Sequence, residues 1–256
     1  MSSLITFRIE NTGDGSPSLR LQNSDGFGEA MHNLKGAFSE TVHIYLPLIE
    51  KCFSWCLSET RFLSVGLGLG YNELFTAAKA LSQLTVNKKA AWRMLSFEKE
   101  AVLRDQFMAW LRALPRPTSP TPHLFEIYEQ INGLIARYTG QDPFAIKEEL
   151  SKGYKEGRWI IEADLHLMQK FPFRSHGIFY DAFSSQTSPE LWTESFLKDF
   201  LLKASDFPCC FSTYAATGAL KRSLKNSGFV PHILSGYGGK RQNTLAIRAS
   251  IECSPC

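Results

Sequence analysis

From residue 61 onward, short apolar runs alternate with stretches whose apolar residues recur at helical spacing. The runs Arg61–Val65, Ala91–Phe97, Trp159–Ala163, His176–Tyr180 and Pro208–Thr213 read as buried strands, with Val230–Leu234 and Thr244–Arg248 as two late ones. Between them the spacing predicts helices over Asn72–Leu84, Glu98–Leu114, Leu124–Tyr138, Phe144–Tyr154, Pro189–Lys203 and Thr217–Ser227. Ser188 is the expected N-cap of the fifth helix, with Pro189 at its first position, and Gly228 ends the sixth. Strands separated by helices require a mostly parallel sheet covered on both faces, an α/β fold. Ligands of such sheets bind past the carboxyl ends of the strands, where the strand order reverses.

Upstream, Leu4–Glu10 and Leu19–Gln22 read as strands around the turn Gly13-Asp14-Gly15, and Ser39–Phe53 is an apolar, packed segment. Residues 1–58 are thus expected to form an N-terminal extension packed on a main domain of residues 59–256. The connector Pro115–Pro122 opens a helical insertion at about 115–157, to which only a covering role is assigned.

With 256 residues, 44% hydrophobic and 21% charged, the chain has globular proportions and ample core. No apolar run is long enough for a membrane-spanning helix, and Met1–Arg8 lacks the pattern of an export signal, so a cytoplasmic protein with reduced thiols is expected. A metal site is not expected. Cys253-x2-Cys256 has no second cysteine pair, Cys52 and Cys56 fit one face of a helix, and the six histidines form no HxxxH pair. The net charge of +3 says little, but its distribution says more. Phe207–Ile251 contains no acid and carries Lys221, Arg222, Lys225, Lys240, Arg241 and Arg248, an electrostatic footprint suited to a polyanion such as nucleic acid.

The candidate chemistry lies at the ends of the strands. Gly66-x-Gly68-x-Gly70-Tyr71-Asn72 follows the first strand of the main domain and lets a ligand lie against bare backbone at a helix start. Tyr71 stands where a dinucleotide fingerprint has its third glycine, which disfavours a nicotinamide cofactor. The spacing resembles instead the first motif of Rossmann-like methyltransferases that use S-adenosyl-L-methionine. Glu98 ends the second strand, where a carboxylate can accept hydrogen bonds from both ribose hydroxyls. By the same resemblance Asp164, after the third strand, stands where these enzymes bind the adenine amino group. The fourth strand ends in Asp181-Ala-Phe183, followed by Trp192. A carboxylate beside aromatic rings suits methylation of an amine, which makes Asp181 the candidate catalytic residue and Phe183 and Trp192 candidate stacking surfaces.

In this order the pieces resemble the methyltransferase domain of the MnmC family of bacterial tRNA wobble-uridine enzymes, over about Ser16 to Arg248. The specific parts are Ser96-Phe-Glu-Lys99, the loop Asp181-x-Phe183-x5-Pro189-x2-Trp192-Thr193, and the tail Thr217-Gly-Ala-Leu-Lys221-Arg222-x5-Gly228-Phe229 with Gly236-Tyr-Gly-Gly-Lys240-Arg241. The resemblance implies a Rossmann-like class I S-adenosyl-L-methionine-dependent fold. It also implies N-methylation of 5-aminomethyl-(2-thio)uridine in the tRNA anticodon loop. Gly66, Gly68, Gly70, Asn72, Glu98 and Asp164 would hold the cofactor, and Lys221, Arg222, Lys240 and Arg241 the tRNA phosphates. The flavin-dependent oxidase to which this domain is often fused is expected to be a separate protein, with no flavin in this chain.

The sequence departs from the family where Leu63-Ser64-Val65 lacks an acid before the glycine turn, at Ala182, Thr187 and Ser188 in the loop, and at Gly239 and Gln242 in the tail. Two other readings stay open from the residues: a methyltransferase for a small amine, or a catalytically silent tRNA- or cofactor-binding protein.

Overall fold

The computed structural model describes residues 6–22, 28–86, 91–113, 124–167, 170–239 and 242–249. The chain opens with an antiparallel hairpin, β1 (Thr6–Asn11) and β2 (Pro17–Gln22), and two short helices, α1 (Ala37–Ile44) and α2 (Leu46–Phe53). The main sheet follows: β3 (Glu59–Val65), α3 (Tyr71–Val86), β4 (Ala91–Phe97), α4 (Ala101–Leu111), α5 (Phe125–Thr139), α6 (Pro143–Lys155), β5 (Trp159–Glu162) and β6 (Ser175–Tyr180). It is completed by α7 (Glu194–Ala204), β7 (Ser205–Thr213), α8 (Gly218–Asn226), β8 (Val230–Ser235) and β9 (Gln242–Arg248). The strand order is β5-β4-β3-β6-β7-β9-β8. The pairs from β5 through β7 are parallel, and β9 runs antiparallel to both β7 and β8.

Period-two alternation explains the layers. Phe62, Trp92, Met94, Phe179 and Cys210 point to the face covered by α1 to α6, whereas Leu63, Val65, Leu95, Phe97, Ile178, Tyr180 and Phe211 point to the face covered by α7 and α8. Phe7, Leu19 and Leu21 of the hairpin belong to the first of these cores, so the N-terminal residues share the hydrophobic cluster of α3 and β4. After β3 the chain builds outward through β4 to β5 and then returns to place β6 against the other side of β3. The crevice at the carboxyl ends of β3 and β6 is therefore the topological switch point.

Two sequence expectations need correction. The helix expected over Pro189–Lys203 is divided: Pro189–Trp192 is a single 3-10 turn, Ser188 makes no side-chain cap, and α7 is capped by Thr193, whose Oγ1 accepts the Phe196 N–H. The cause is Trp192. Its indole N–H donates to the Phe183 carbonyl at 2.7 Å and its ring packs between Tyr180 and Tyr214, which pulls the turn into the core and leaves Thr193 extended. The helix expected from Glu98 begins only at Ala101, because the Glu98 carboxylate accepts the Glu100 N–H and holds the preceding residues out of helical geometry. The Pro115–Pro122 connector lies outside the described residues.

The contact between β6 and α2 is tight enough to test. A Cβ at Gly177 would lie 2.6 Å from the Phe62 ring and 2.9 Å from Leu48 Cδ2, both buried. Gly177→Ala is expected to destabilise the chain by about 1–3 kcal/mol through overpacking, read as a lower urea midpoint at unchanged slope. An unchanged midpoint would contradict this packing.

Candidate functional site

A cavity of about 600 Å³ opens at the switch point. Its walls are the residues that follow β3, β4, β5 and β6, together with residues 29–34 from the N-terminal segment. The glycine turn is held from below, since the N–H groups of Gly66 and Leu67 both donate to the Phe97 carbonyl, at 3.0 and 2.9 Å. Gly66 has φ +94°, and a Cβ there would lie 2.6 Å from the Asp181 carbonyl oxygen, so only glycine lets the turn approach the next strand end.

The Gly68 N–H donates to Glu98 Oε2 at 2.8 Å, and Glu98 Oε1 accepts the Glu100 N–H at 2.9 Å. Burial holds the Glu98 carboxyl above the usual carboxylate range, against the lowering effect of those two N–H donors. Asn72, in the first turn of α3, lines the cavity and is buried, and its Oδ1 has no hydrogen-bond partner among the described residues. An orphaned acceptor of this kind on a cavity wall fits a ligand donor. Asp164 also lines the cavity and accepts the His166 N–H at 2.9 Å. Gly66, Gly68, Asn72, Glu98 and Asp164 are thus brought together as expected. Gly70 is not on the wall: a Cβ there would lie 2.2 Å from the Phe107 ring, so this glycine lets the start of α3 pack on α4.

Asp181 stands at the end of β6, on the other side of β3 from Glu98. Its N–H donates to the Val65 carbonyl at 2.9 Å, and its Oδ1 accepts the Tyr45 hydroxyl at 2.6 Å. Burial and the neighbouring Asp181 carboxylate push the Tyr45 phenol well above its ordinary value, so Tyr45 acts as a donor. The Tyr214 hydroxyl donates to the Ala182 carbonyl at 2.8 Å, and Glu40, also on the wall, accepts the Asn33 N–H at 2.6 Å. Phe183 lines the cavity. Trp192 does not: it is 7% exposed and braces the loop from beneath, so the expected stacking surface is replaced by a structural prop.

Glu29, Glu40, Tyr45 and Tyr214 were not anticipated from the sequence. The one available signal was an acid, Glu40, on the buried side of the apolar segment that becomes α1. Among the described residues, seven carboxylates line the cavity (Glu29, Glu40, Glu98, Glu100, Asp164, Asp181 and Glu190) against a single lysine, Lys99. Such a cavity favours cationic ligands and repels phosphate.

The basic tail is only partly a surface. Arg248 donates to the carbonyls of Ser205, Ser227 and Asp206 and lies over the Phe229 ring, so it fastens β9 and does not belong to the footprint. Arg222 is exposed and bonds Glu194 at 2.8 Å. Lys221 is half-buried and Lys225 exposed on α8. Lys240 and Arg241 lie outside the described residues, as do Cys253 and Cys256. Described residues just before the first two tie to the N-terminal segment. The Tyr237 carbonyl accepts from Asn33 Nδ2 at 3.4 Å, and the Ser235 carbonyl from His43 Nε2 at 2.7 Å. Among the described residues no cluster of three or more metal-ligating side chains occurs, and no helix is long and apolar enough to cross a membrane.

A family model described as S-adenosyl-L-methionine-dependent methyltransferase matches residues 126–249, a span that includes Asp164 and Asp181. The chain is 23% identical over 215 residues to the tRNA 5-methylaminomethyl-2-thiouridine biosynthesis bifunctional protein MnmC of Burkholderia mallei strain SAVP1, covering 84% of this chain and 32% of that protein. It is 24% identical over 218 residues to the MnmC of strain NCTC 10229, with the same coverage. The chain therefore spans about a third of the length of the curated relatives it matches. Among solved structures it is similar to MNMC2 from Aquifex aeolicus, with a TM-score of 0.62 and 27% identity, over 94% of this chain and 70% of that one. The fold is a Rossmann-like α/β fold, shared with that solved structure.

Behind the glycine turn, Glu73 is fully buried and accepts the Ser96 hydroxyl at 2.8 Å. Burial pushes its carboxyl up to about 7. Between its ordinary value of 4.5 and 7 the unfolded chain has lost the proton that the folded chain keeps, so stability falls as pH rises through that window. The contribution is about 3 kcal/mol at most. Urea midpoints measured at about pH 5 and about pH 8 are expected to diverge for the wild type and to converge for Glu73→Gln, which has no proton to lose.

Proposed function

We propose that this S-adenosyl-L-methionine-dependent methyltransferase N-methylates the 5-aminomethyl group of a wobble (2-thio)uridine in tRNA, giving the 5-methylaminomethyl group, in the cytoplasm. The observation that carries this reading is one acid-lined cavity to which the Gly68–Glu98 contact contributes from the β4 side of β3 and Asp181, held by Tyr45, from the β6 side. The relatives named for 5-methylaminomethyl-2-thiouridine biosynthesis support the choice of acceptor.

Gly66, Gly68, Asn72, Glu98 and Asp164 would hold the cofactor, with Glu98 suited to ribose hydroxyls and Asn72 to a hydrogen-bond donor. S-adenosyl-L-methionine supplies, when bound, a methyl group already activated by its sulfonium charge. The protein's own work is then positioning and proton handling. An alkylamine is mostly protonated at neutral pH and must lose a proton before it can attack. Asp181 is the acceptor for that proton, and its carboxylate then steadies the cation that methylation leaves on nitrogen. Tyr45 fixes the rotamer of Asp181 by donating to Oδ1. Phe183 offers a ring on which an unstacked uracil can pack, as single-stranded loops are read by stacking.

Seven cavity carboxylates repel phosphate, so the RNA backbone stays outside, on Lys221, Arg222 and the β8–β9 hairpin that bears Lys240 and Arg241. In this reading residues 1–58 are a catalytic extension of the domain at 59–256, completing its cavity with Glu29 and Glu40 and holding Asp181 from behind with Tyr45. The helical insertion at about 115–157 covers α3. A separate flavin-dependent oxidase supplies the amine.

The deciding assay is transfer of a labelled methyl group to tRNA from cells lacking the modification, followed by nucleoside mass analysis. The 5-methylaminomethyl product is expected, and methylation of a free small amine alone would favour the other acceptor class. Asp181→Asn is expected to bind the cofactor like the wild type while turnover falls by about 100-fold or more. Unchanged turnover would remove Asp181 from the mechanism. Replacing Lys240 and Arg241 together with alanine is expected to leave cofactor affinity intact. It should also weaken tRNA binding and make the dependence of log affinity on log salt shallower by about 1.4.

A further inference from the structure

Glu29 lies far in sequence from Asp181 but is bonded to the loop that Asp181 begins. Its Oε1 accepts the Ser184 N–H at 2.9 Å, and its Oε2 accepts the Ser184 hydroxyl at 2.9 Å and the Thr187 hydroxyl at 2.5 Å. Hydrogen bonds to a carboxylate are about twice as strong as neutral ones, and three converge here. Thr187 is one of the positions at which the sequence departs from the resemblance, and the structure gives its hydroxyl a partner.

The strap that carries Glu29 is itself fastened to β2. The Leu21 N–H donates to the Glu29 carbonyl at 2.9 Å and the Met31 N–H to the Leu19 carbonyl at 2.8 Å. Arg20 joins the Glu10 carboxylate at 2.7 Å to the Gly28 carbonyl at 2.9 Å. The first half of the loop is braced from the core by Tyr214 on the Ala182 carbonyl and Trp192 on the Phe183 carbonyl. Its second half is braced from the strap by Glu29. Strap and loop both line the cavity, so the tie joins two of its walls.

We propose that Glu29 is a positioning residue that locks the loop bearing Asp181 and Phe183 to the N-terminal strap, so that the acceptor side of the cavity takes its working shape only when the two are joined. The proposal deepens the methyl-transfer reading and rests on it for its kinetic arm alone.

Amide hydrogen exchange on the full chain tests the tie without any methyl acceptor. Glu29→Ala is expected to speed exchange over residues 182–188 by about tenfold or more while β3 and β4 keep their protection. Thr187→Val is expected to give a smaller rise, and the double variant to match Glu29→Ala alone, because the Thr187 hydroxyl acts through Glu29. Glu29→Gln, which keeps an acceptor for the Ser184 N–H, is expected to restore part of the protection. Unchanged exchange in 182–188, or additive effects in the double variant, overturns the proposal. Should Glu29→Ala open the sheet as well, Thr187→Val, which leaves the strap intact, decides by the same readout. With tRNA as acceptor, kcat of Glu29→Ala is expected to fall by about 100-fold with little change in KM for the methyl donor, as misplacement of a reacting group costs. A wild type that methylates no tRNA would end the functional reading while leaving the exchange result to decide the tie.

Discussion

The arrangement of the site depends on the close backbone approach of Gly66 to Asp181. The last residue of β3 accepts the Asp181 N–H, and the next residue has no side chain because the Asp181 carbonyl occupies that space. This contact brings the wall that carries Asn72 and Glu98 into one cavity with the strand end that carries Asp181. It also explains why the turn needs its first glycine for packing as much as for ligand access. Gly70, by contrast, answers to Phe107 and the seat of α4.

Gathering seven carboxylates around one cavity is unfavourable unless each is met by a donor, and the structure meets many of them with backbone or hydroxyl groups. Glu98 takes two N–H groups, Glu40 the Asn33 N–H, Asp164 the His166 N–H, and Asp181 a phenol. Neutral donors of this kind fix the carboxylates in place while leaving the cavity electronegative, which an arginine partner would not. A cavity built in this way is matched to positively charged chemistry, and the extension is part of it, since Glu29 and Glu40 both line it and precede β3.

Much of the fold was legible because it is written in local periodicity. β4 was expected at Ala91–Phe97 and is found there, and the remaining strands of the main sheet fall within a few residues of their expected positions. Glycines and acids at strand ends were legible for the same reason: topology alone sends them to the switch point. What the sequence hid depends on distant contacts. Tyr45 meets Asp181 across 136 residues and Glu29 meets Ser184 across 155, and no spacing rule connects such pairs. Trp192 and Arg248 carried the right residue type for a nucleic-acid surface. Burial decided otherwise, turning one into a prop for the loop and the other into a fastening for β9.

The contact of the β8–β9 hairpin with Asn33 and His43 links late residues of the domain to early ones, above the same opening. The polypeptide therefore ties itself together beside its own cavity, through segments about two hundred positions apart. Shortening the protein from its early side would unpick that stitch before it reached β3, and shortening it from its late side would strip β9 from the sheet on the way. A fragment cut at β3 would lack the early half of that stitch, and joining the early and late segments by a new linker would preserve it where trimming would not.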